Sequence, residues 1–249
     1  MEIEQVVPEP NKFPNNRLWL VYGRPKVGKT TFATTWDTPL IIDLENGAND
    51  VTCTRVRPRT IKELKESLTM KEIQDYGTVV VDSLDIVYNL IERNTIATLN
   101  KQLKTNYSYV GSFPMGAGWA HAKNSVKSWI FQYIIPLTQD DKNVIFIAHE
   151  KSEVVKREGK EDETKYGISL PGQTGTLVTS LCDAIGRVHI KNGKHMLSFS
   201  PAHDLGGSRI KAIAGRDMPL NIKVMRTIID KYVEKPAKNM KEVVKQAAE

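Results

Sequence analysis

Gly23, Arg24, Pro25, Lys26, Val27, Gly28, Lys29 and Thr30 run consecutively as GxxxxGK[ST], a spacing suited to holding phosphate. The two glycines permit left-handed backbone angles that turn successive N–H groups inward. Such a turn makes a nest for anionic oxygens at the positive end of a helix. Lys29 would reach the β- and γ-phosphates of a nucleoside triphosphate, and the Thr30 hydroxyl would ligate Mg²⁺. With Thr31 these residues form the candidate nucleotide site, and ATP with Mg²⁺ is the expected pair of ligands. A second group lies about fifty residues on, where Thr78, Val79, Val80 and Val81 lead into Asp82 and Ser83. A β-branched run ending abruptly in Asp places a carboxylate at the carboxyl edge of a parallel sheet, where it would hold a Mg²⁺-bound water; a helix N-cap is the other role open to it.

These groups need a strand–loop–helix frame. Residues 18–22 form an apolar run that reads as a buried strand, and the helix after the loop is expected to start at Lys29. Residues 40–43 and 51–56 read as further strands, with Asn46 and Gly47 turning the chain between them, and 60–74 as a helix. A helix from Ser83 to about Leu103 precedes an irregular segment, 104–118, with three glycines, one proline and two tyrosines. A helix over 119–136 leads to a strand over 143–148 that ends in His149 and Glu150, and 151–175 reads as a second long polar loop. A short helix over 176–182 follows. The strands 185–190 and 196–199 flank Asn192 and Gly193, a type I′ hairpin signal. Pro219 is expected to open a last helix to about Val233. The expected fold is α/β, a mostly parallel central sheet flanked by helices with an antiparallel hairpin extension. Residues 1–17 read as an extended arm, 18–217 as the core, and 218–249 as a C-terminal helix and basic tail.

At 249 residues with 40% hydrophobic side chains the chain can bury a sizeable core. No apolar run reaches the length of a membrane span, and two cysteines match neither a disulfide framework nor a metal spacing, so a cytoplasmic protein is expected. The formal charge of +6 is concentrated late, with ten Lys or Arg against six Asp or Glu in residues 201–249. That surplus suits phosphate-bearing partners, or a solvated basic face.

Four stretches, LWLVYGRPKVGKTT, LIIDLE, VVVDS and VIFIAHE, resemble in order and spacing the ATPase core of the RecA/RadA recombinase superfamily over residues 17–217. The likeness is greatest to the small RecA-like single-strand annealing proteins of bacteriophages, the Sak type. That resemblance implies a slow ATPase coupled to DNA or to assembly, acting in phage recombination or repair inside the host cell. It implies Glu45 as the residue activating the attacking water and His149 as the sensor of the γ-phosphate. His149 departs from the Gln common there, and a surface Glu and a structural His are the other readings. Residues 104–118 and 151–175 stand where the superfamily holds single-stranded DNA. Tyr107, Tyr109 and Phe113 would stack on bases, and Lys156, Arg157, Lys160 and Lys165 would meet phosphates; aromatics pinned to their own core are the alternative. Arg209 and Lys211, with Arg216, resemble cations that complete a neighbouring subunit's site, so a homo-oligomer, filament or ring, is implied, and a single-strand-binding protein is a further partner. A solvated basic strand is the other reading of those cations.

Readings from other classes are a P-loop nucleotide or metabolite kinase and a nucleotide-switched interaction module of phage replication. The kinase reading expects an arginine-rich lid, whereas 104–118 holds Lys104 and no Arg. A helicase or packaging motor on the same core is a further possibility within the ATPase class.

Overall fold

The computed structural model describes residues 12–156, 162–202 and 205–232. Arg157, Lys160, most of the N-terminal arm and the basic tail from 233 onward lie outside them.

The apolar runs become the middle of one sheet. β1 (Leu18–Gly23), β2 (Pro39–Asp43), β3 (Thr54–Val56), β4 (Thr78–Asp82) and the first half of β5 (Asn143–Val155) pair in parallel. β6 (Glu163–Ile168) pairs antiparallel with the outer half of β5. β7 (Ala184–Lys191) runs parallel to β1 on the other side. It carries β8 (Lys194–Ser198) and β9 (Gly207–Ser208) as antiparallel partners, and β10 (Asp217–Pro219) closes on β8. The spatial order is β10-β8-β7-β1-β5-β4-β2-β3. The α/β fold with a largely parallel sheet and an antiparallel extension is therefore as expected, down to Asn192 and Gly193, both at positive φ in the turn between β7 and β8.

Strands buried on both sides need helices over both faces, and alternate residues divide between two cores. Leu18, Leu20 and Tyr22 face one core with Val79, Val81, Val144 and Phe146. That side is covered by α2 (Ile61–Ser67), α3 (Leu84–Leu103), α4 (Ala117–Trp129) and α6 (Gly172–Leu181). Trp19, Val21, Val80, Ile145 and Ile147 face the other core, against α1 (Lys29–Ala33) and α7 (Ile222–Asp230). α4 continues through one π turn, Ile130–Ile134, into α5 (Ile135–Gln139).

Several boundaries move. The expected helix over 60–74 divides into α2, capped by the Thr60 hydroxyl on the Glu63 N–H, and a 3₁₀ turn, Lys71–Asp75. The last helix starts at Ile222 under an Asn221 cap, because Pro219 is spent in β10. The largest correction is the second polar loop. Its first part is strand, since β5 runs on to Val155 and folds back through β6, so Lys156 follows a strand and Lys165 lies within one. Within 104–118, Phe113 is 2% exposed, packs edge-on against Tyr107, and cannot stack on a base from there.

Candidate active site

β1 delivers Gly23 to the carboxyl edge beside β7, where a Cβ would lie 2.4 Å from the Val188 carbonyl oxygen; the position has room for glycine alone. Lys26 at φ +62° and Gly28 at φ +95° then turn the loop into α1. On its outer side the loop is held by His195, whose Nδ1 lies 2.9 Å from the Val27 carbonyl oxygen, and by Leu220 beside Gly28. Arg24 reaches Glu150 at 3.4 Å, which also accepts from Arg187 Nε at 2.6 Å. The Arg187 guanidinium stacks over the Tyr166 ring at 3.4 Å. The loop is thereby tied to β5, β6 and β7.

Lys29 is buried, and its ammonium donates to the carbonyls of Gly23 and Arg24, each at 2.9 Å. Burial lowers its pKa, while the carboxylates of Asp82, Glu45, Asp85 and Glu150 pull it back. The Thr30 hydroxyl donates to Asp82 Oδ2 at 2.6 Å. Asp82 is pushed up to about 6, chiefly by burial; the Thr30 bond opposes that, and the neighbouring Glu45 and Asp43 reinforce it. Asp43, also buried, closes the turn after β2 by accepting from Gly47 N at 3.1 Å and Arg55 Nη1 at 2.8 Å.

That turn presents Glu45 to the ends of β4 and β5. Its Oε1 accepts from the Ser83 hydroxyl and lies 3.5 Å from His149 Nδ1. Asp85, in the first turn of α3, accepts from the His149 backbone N–H at 2.9 Å and lies 3.3 Å from the same Nδ1. Burial raises the Asp85 carboxyl, and the contacts with His149 counter it. Ligand atoms of Glu45, Asp85 and His149 all lie within 4.8 Å of one another.

The nucleotide-loop residues, Asp82, Glu45 and His149 thus meet at one sheet edge. Ser83, assigned no role in the sequence beyond following Asp82, and Asp85, not singled out there, belong with them; the one available signal for Asp85 is an acid three residues beyond Asp82, at the start of a helix. The site suits a Mg²⁺-nucleotide: a buried ammonium is satisfied by loop carbonyls alone, a hydroxyl and a buried carboxylate already converge, and the loop approaches β7 too closely for a side chain. Lys29 and the loop N–H groups would hold the phosphates, with Thr30 and Asp82 as the ligands for the ion.

The remaining candidates are spread out. Tyr107 is half-buried, its N–H bonded to Asn100 Oδ1 at 2.9 Å, while Tyr109 is 55% exposed and edge-on to Trp119. Lys156 and Lys165 are exposed on the ribbon that rises from the carboxyl edge beside the phosphate loop. Arg209 sits at the opposite edge, 3.2 Å from Asp183, whose other oxygen caps the start of β1 at Leu18 N. Lys211 and Arg216 are exposed.

A family model described as an AAA domain matches residues 15–207. No curated protein matches the chain. Among the described residues no helix is long and apolar enough to cross a membrane.

Proposed function

This chain belongs to the AAA domain family, which makes it a P-loop NTPase domain, and from that premise we propose a Mg²⁺-dependent ATPase that binds single-stranded DNA and anneals or pairs strands in phage recombination. The observation that carries the ATPase reading is the 2.6 Å bond from Thr30 to Asp82 beside the buried Lys29. When bound, Mg²⁺ would neutralise charge on the transferring phosphoryl group. The chain's own residues do the rest. Lys29 and the inward N–H groups bind phosphate, and Glu45, steadied by the Ser83 hydroxyl, orients a water and accepts its proton.

The DNA reading is supported by the resemblance to RecA-like annealing proteins and by placement. Tyr109 and the ribbon lysines Lys156 and Lys165 are exposed, and the ribbon stands beside the nucleotide loop. Arg209 supports a homo-oligomer, because it lies at the far edge of the sheet from its own Lys29 and would act in a neighbour's site. The ATPase part is tested by nucleotide binding and hydrolysis in two variants. Lys29→Ala is expected to lose binding, and Glu45→Ala to retain binding and lose turnover; normal turnover in Glu45→Ala would remove that residue from the chemistry. Anisotropy of a labelled single-stranded oligonucleotide, with and without ATP and Mg²⁺ across a salt series, tests the DNA part. ATP-dependent binding that weakens with salt is expected, and tight nucleotide binding with no DNA affinity in any state would leave a kinase or a switch in its place.

A further inference from the structure

Asp85 belongs to neither the phosphate loop nor the metal pair, yet one of its oxygens engages His149 twice. Oδ2 takes the His149 backbone N–H at 2.9 Å and faces the ring Nδ1 at 3.3 Å. The same Nδ1 faces Glu45 Oε1 at 3.5 Å. Ionised carboxylate oxygens only accept, so a lone pair on the atom between these two would be repelled from both sides, and a proton there is favoured. The ring is therefore held as the Nδ1–H form or as imidazolium. Nε2, which has no protein partner among the described residues, is the atom left to meet a ligand. Holding the backbone and the ring of one residue through one oxygen also restricts the His149 rotamer, and with it the place of Nδ1 against Glu45 Oε1.

We propose that Asp85 is a positioning residue that fixes the tautomer and orientation of His149 against Glu45. This rests on the ATPase reading above in its kinetic consequence, but the tautomer itself does not depend on turnover. Asparagine in place of Asp85 can set its amide oxygen where Oδ2 stands and so keep both contacts, which makes it the conservative control. Alanine removes both contacts. His149→Gln removes the imidazole and retains an amide donor, so in that background the identity of residue 85 has no tautomer to control.

The full chain is tested as wild type, Asp85→Ala, His149→Gln and their double variant, with Asp85→Asn as the conservative control and thermal melts to establish that each is folded. Steady-state ATP hydrolysis of Asp85→Ala is expected to show kcat lowered roughly ten- to hundredfold, the scale typical of outer partners that orient an imidazole, with KM changed less than about twofold and Asp85→Asn staying near wild type. In the His149→Gln background Asp85→Ala is expected to change kcat by less than about twofold. An equal loss in both backgrounds would mean that Asp85 merely supports the helix, and an unchanged kcat in Asp85→Ala would equally overturn the proposal. Imidazole nitrogen chemical shifts supply an independent measurement. Wild type and Asp85→Asn are expected to report a protonated Nδ1 and Asp85→Ala to shift toward the Nε2–H form, whereas a bare Nδ1 in wild type would overturn the assignment. If the wild type hydrolyses no ATP beyond the Lys29→Ala background, the ATPase reading fails, and the nitrogen shifts still decide this one.

Discussion

Asp82 is a buried carboxylate whose charged form is costly until a cation arrives. Its folded pKa is raised to about 6 from 3.8, so the stability associated with it is fully present below the unfolded value and is lost as pH rises through the folded one. At one unit per 1.36 kcal/mol this is on the order of 3 kcal/mol. Asp82→Asn removes the ionisation, so in the absence of nucleotide and metal the variant is expected to be more stable at neutral pH by up to that amount. It should also lack this group's loss of stability between about pH 4 and 6; urea unfolding across that range checks it. The same variant should lose Mg²⁺-dependent turnover. Gly23 offers a second check at this scale. Gly23→Ala drives a methyl into the Val188 carbonyl oxygen, which belongs to the backbone and yields only if β1 and β7 separate. A loss of about 1–3 kcal/mol is expected on the scale of an overpacked site, together with weakened nucleotide binding. The glycine and the Lys-Thr pair were plain in the sequence because a local motif carries its own geometry. Asp85 was not, since its partner His149 lies 64 positions away.

At the level of elements, the two segments proposed to meet DNA differ in how they are built. In 104–118, two 3₁₀ turns, Val110–Ser112 and Pro114–Gly116, fold inward over Phe113, leaving Tyr109 and the fully exposed Met115 outside. Phe113→Ala is therefore expected to cost about 3–5 kcal/mol of stability, as a buried aromatic does. Tyr109→Ala should leave the melting temperature almost unchanged. If Tyr109 stacks on a base, its loss should cost roughly 1–3 kcal/mol of single-strand affinity, read by anisotropy. The other segment is the β5–β6 ribbon. In β5 the outer stretch, Lys151, Ser152 and Glu153, is polar throughout, and in β6 only Tyr166 and the buried Ile168 alternate with polar or small neighbours, a signal too short to mark a strand by itself. What makes them strands is the ladder from Glu150 and Ile168 outward to Val155 and Glu163, a property of the pair that neither segment displays alone.

Across the whole molecule, the side of the sheet behind the nucleotide loop is closed by an aromatic cluster. Trp36 meets Trp19, Phe13 and Phe32 edge-on, and Arg226 of α7 lies over Phe13 while pairing with Asp37. The cluster joins the end of the N-terminal arm, α1 and α7 into one core. Trp36→Ala is expected to destabilise the entire domain by about 3–5 kcal/mol in denaturant unfolding rather than loosening one end. Arg209→Ala tests the assembly reading. Hydrolysis should rise with protein concentration in wild type and stay low in the variant, whereas hydrolysis independent of concentration would remove the neighbour's contribution. The sequence by itself determined the parallel α/β core, the GxxxxGK[ST] loop between β1 and α1, and the place of Asp82 at the end of β4, because an apolar run bounded by a glycine turn or an acid is a local signal. Only the tertiary structure decided that Phe113 is inside, that 150–155 and 163–168 pair as a ribbon, and that Asp85, His149, Glu45 and Ser83 form one polar group. The polar group joins residues 38 and 64 positions apart, and the ribbon and the fold around Phe113, though closer in the chain, are too short and mixed in composition to carry a clear apolar period.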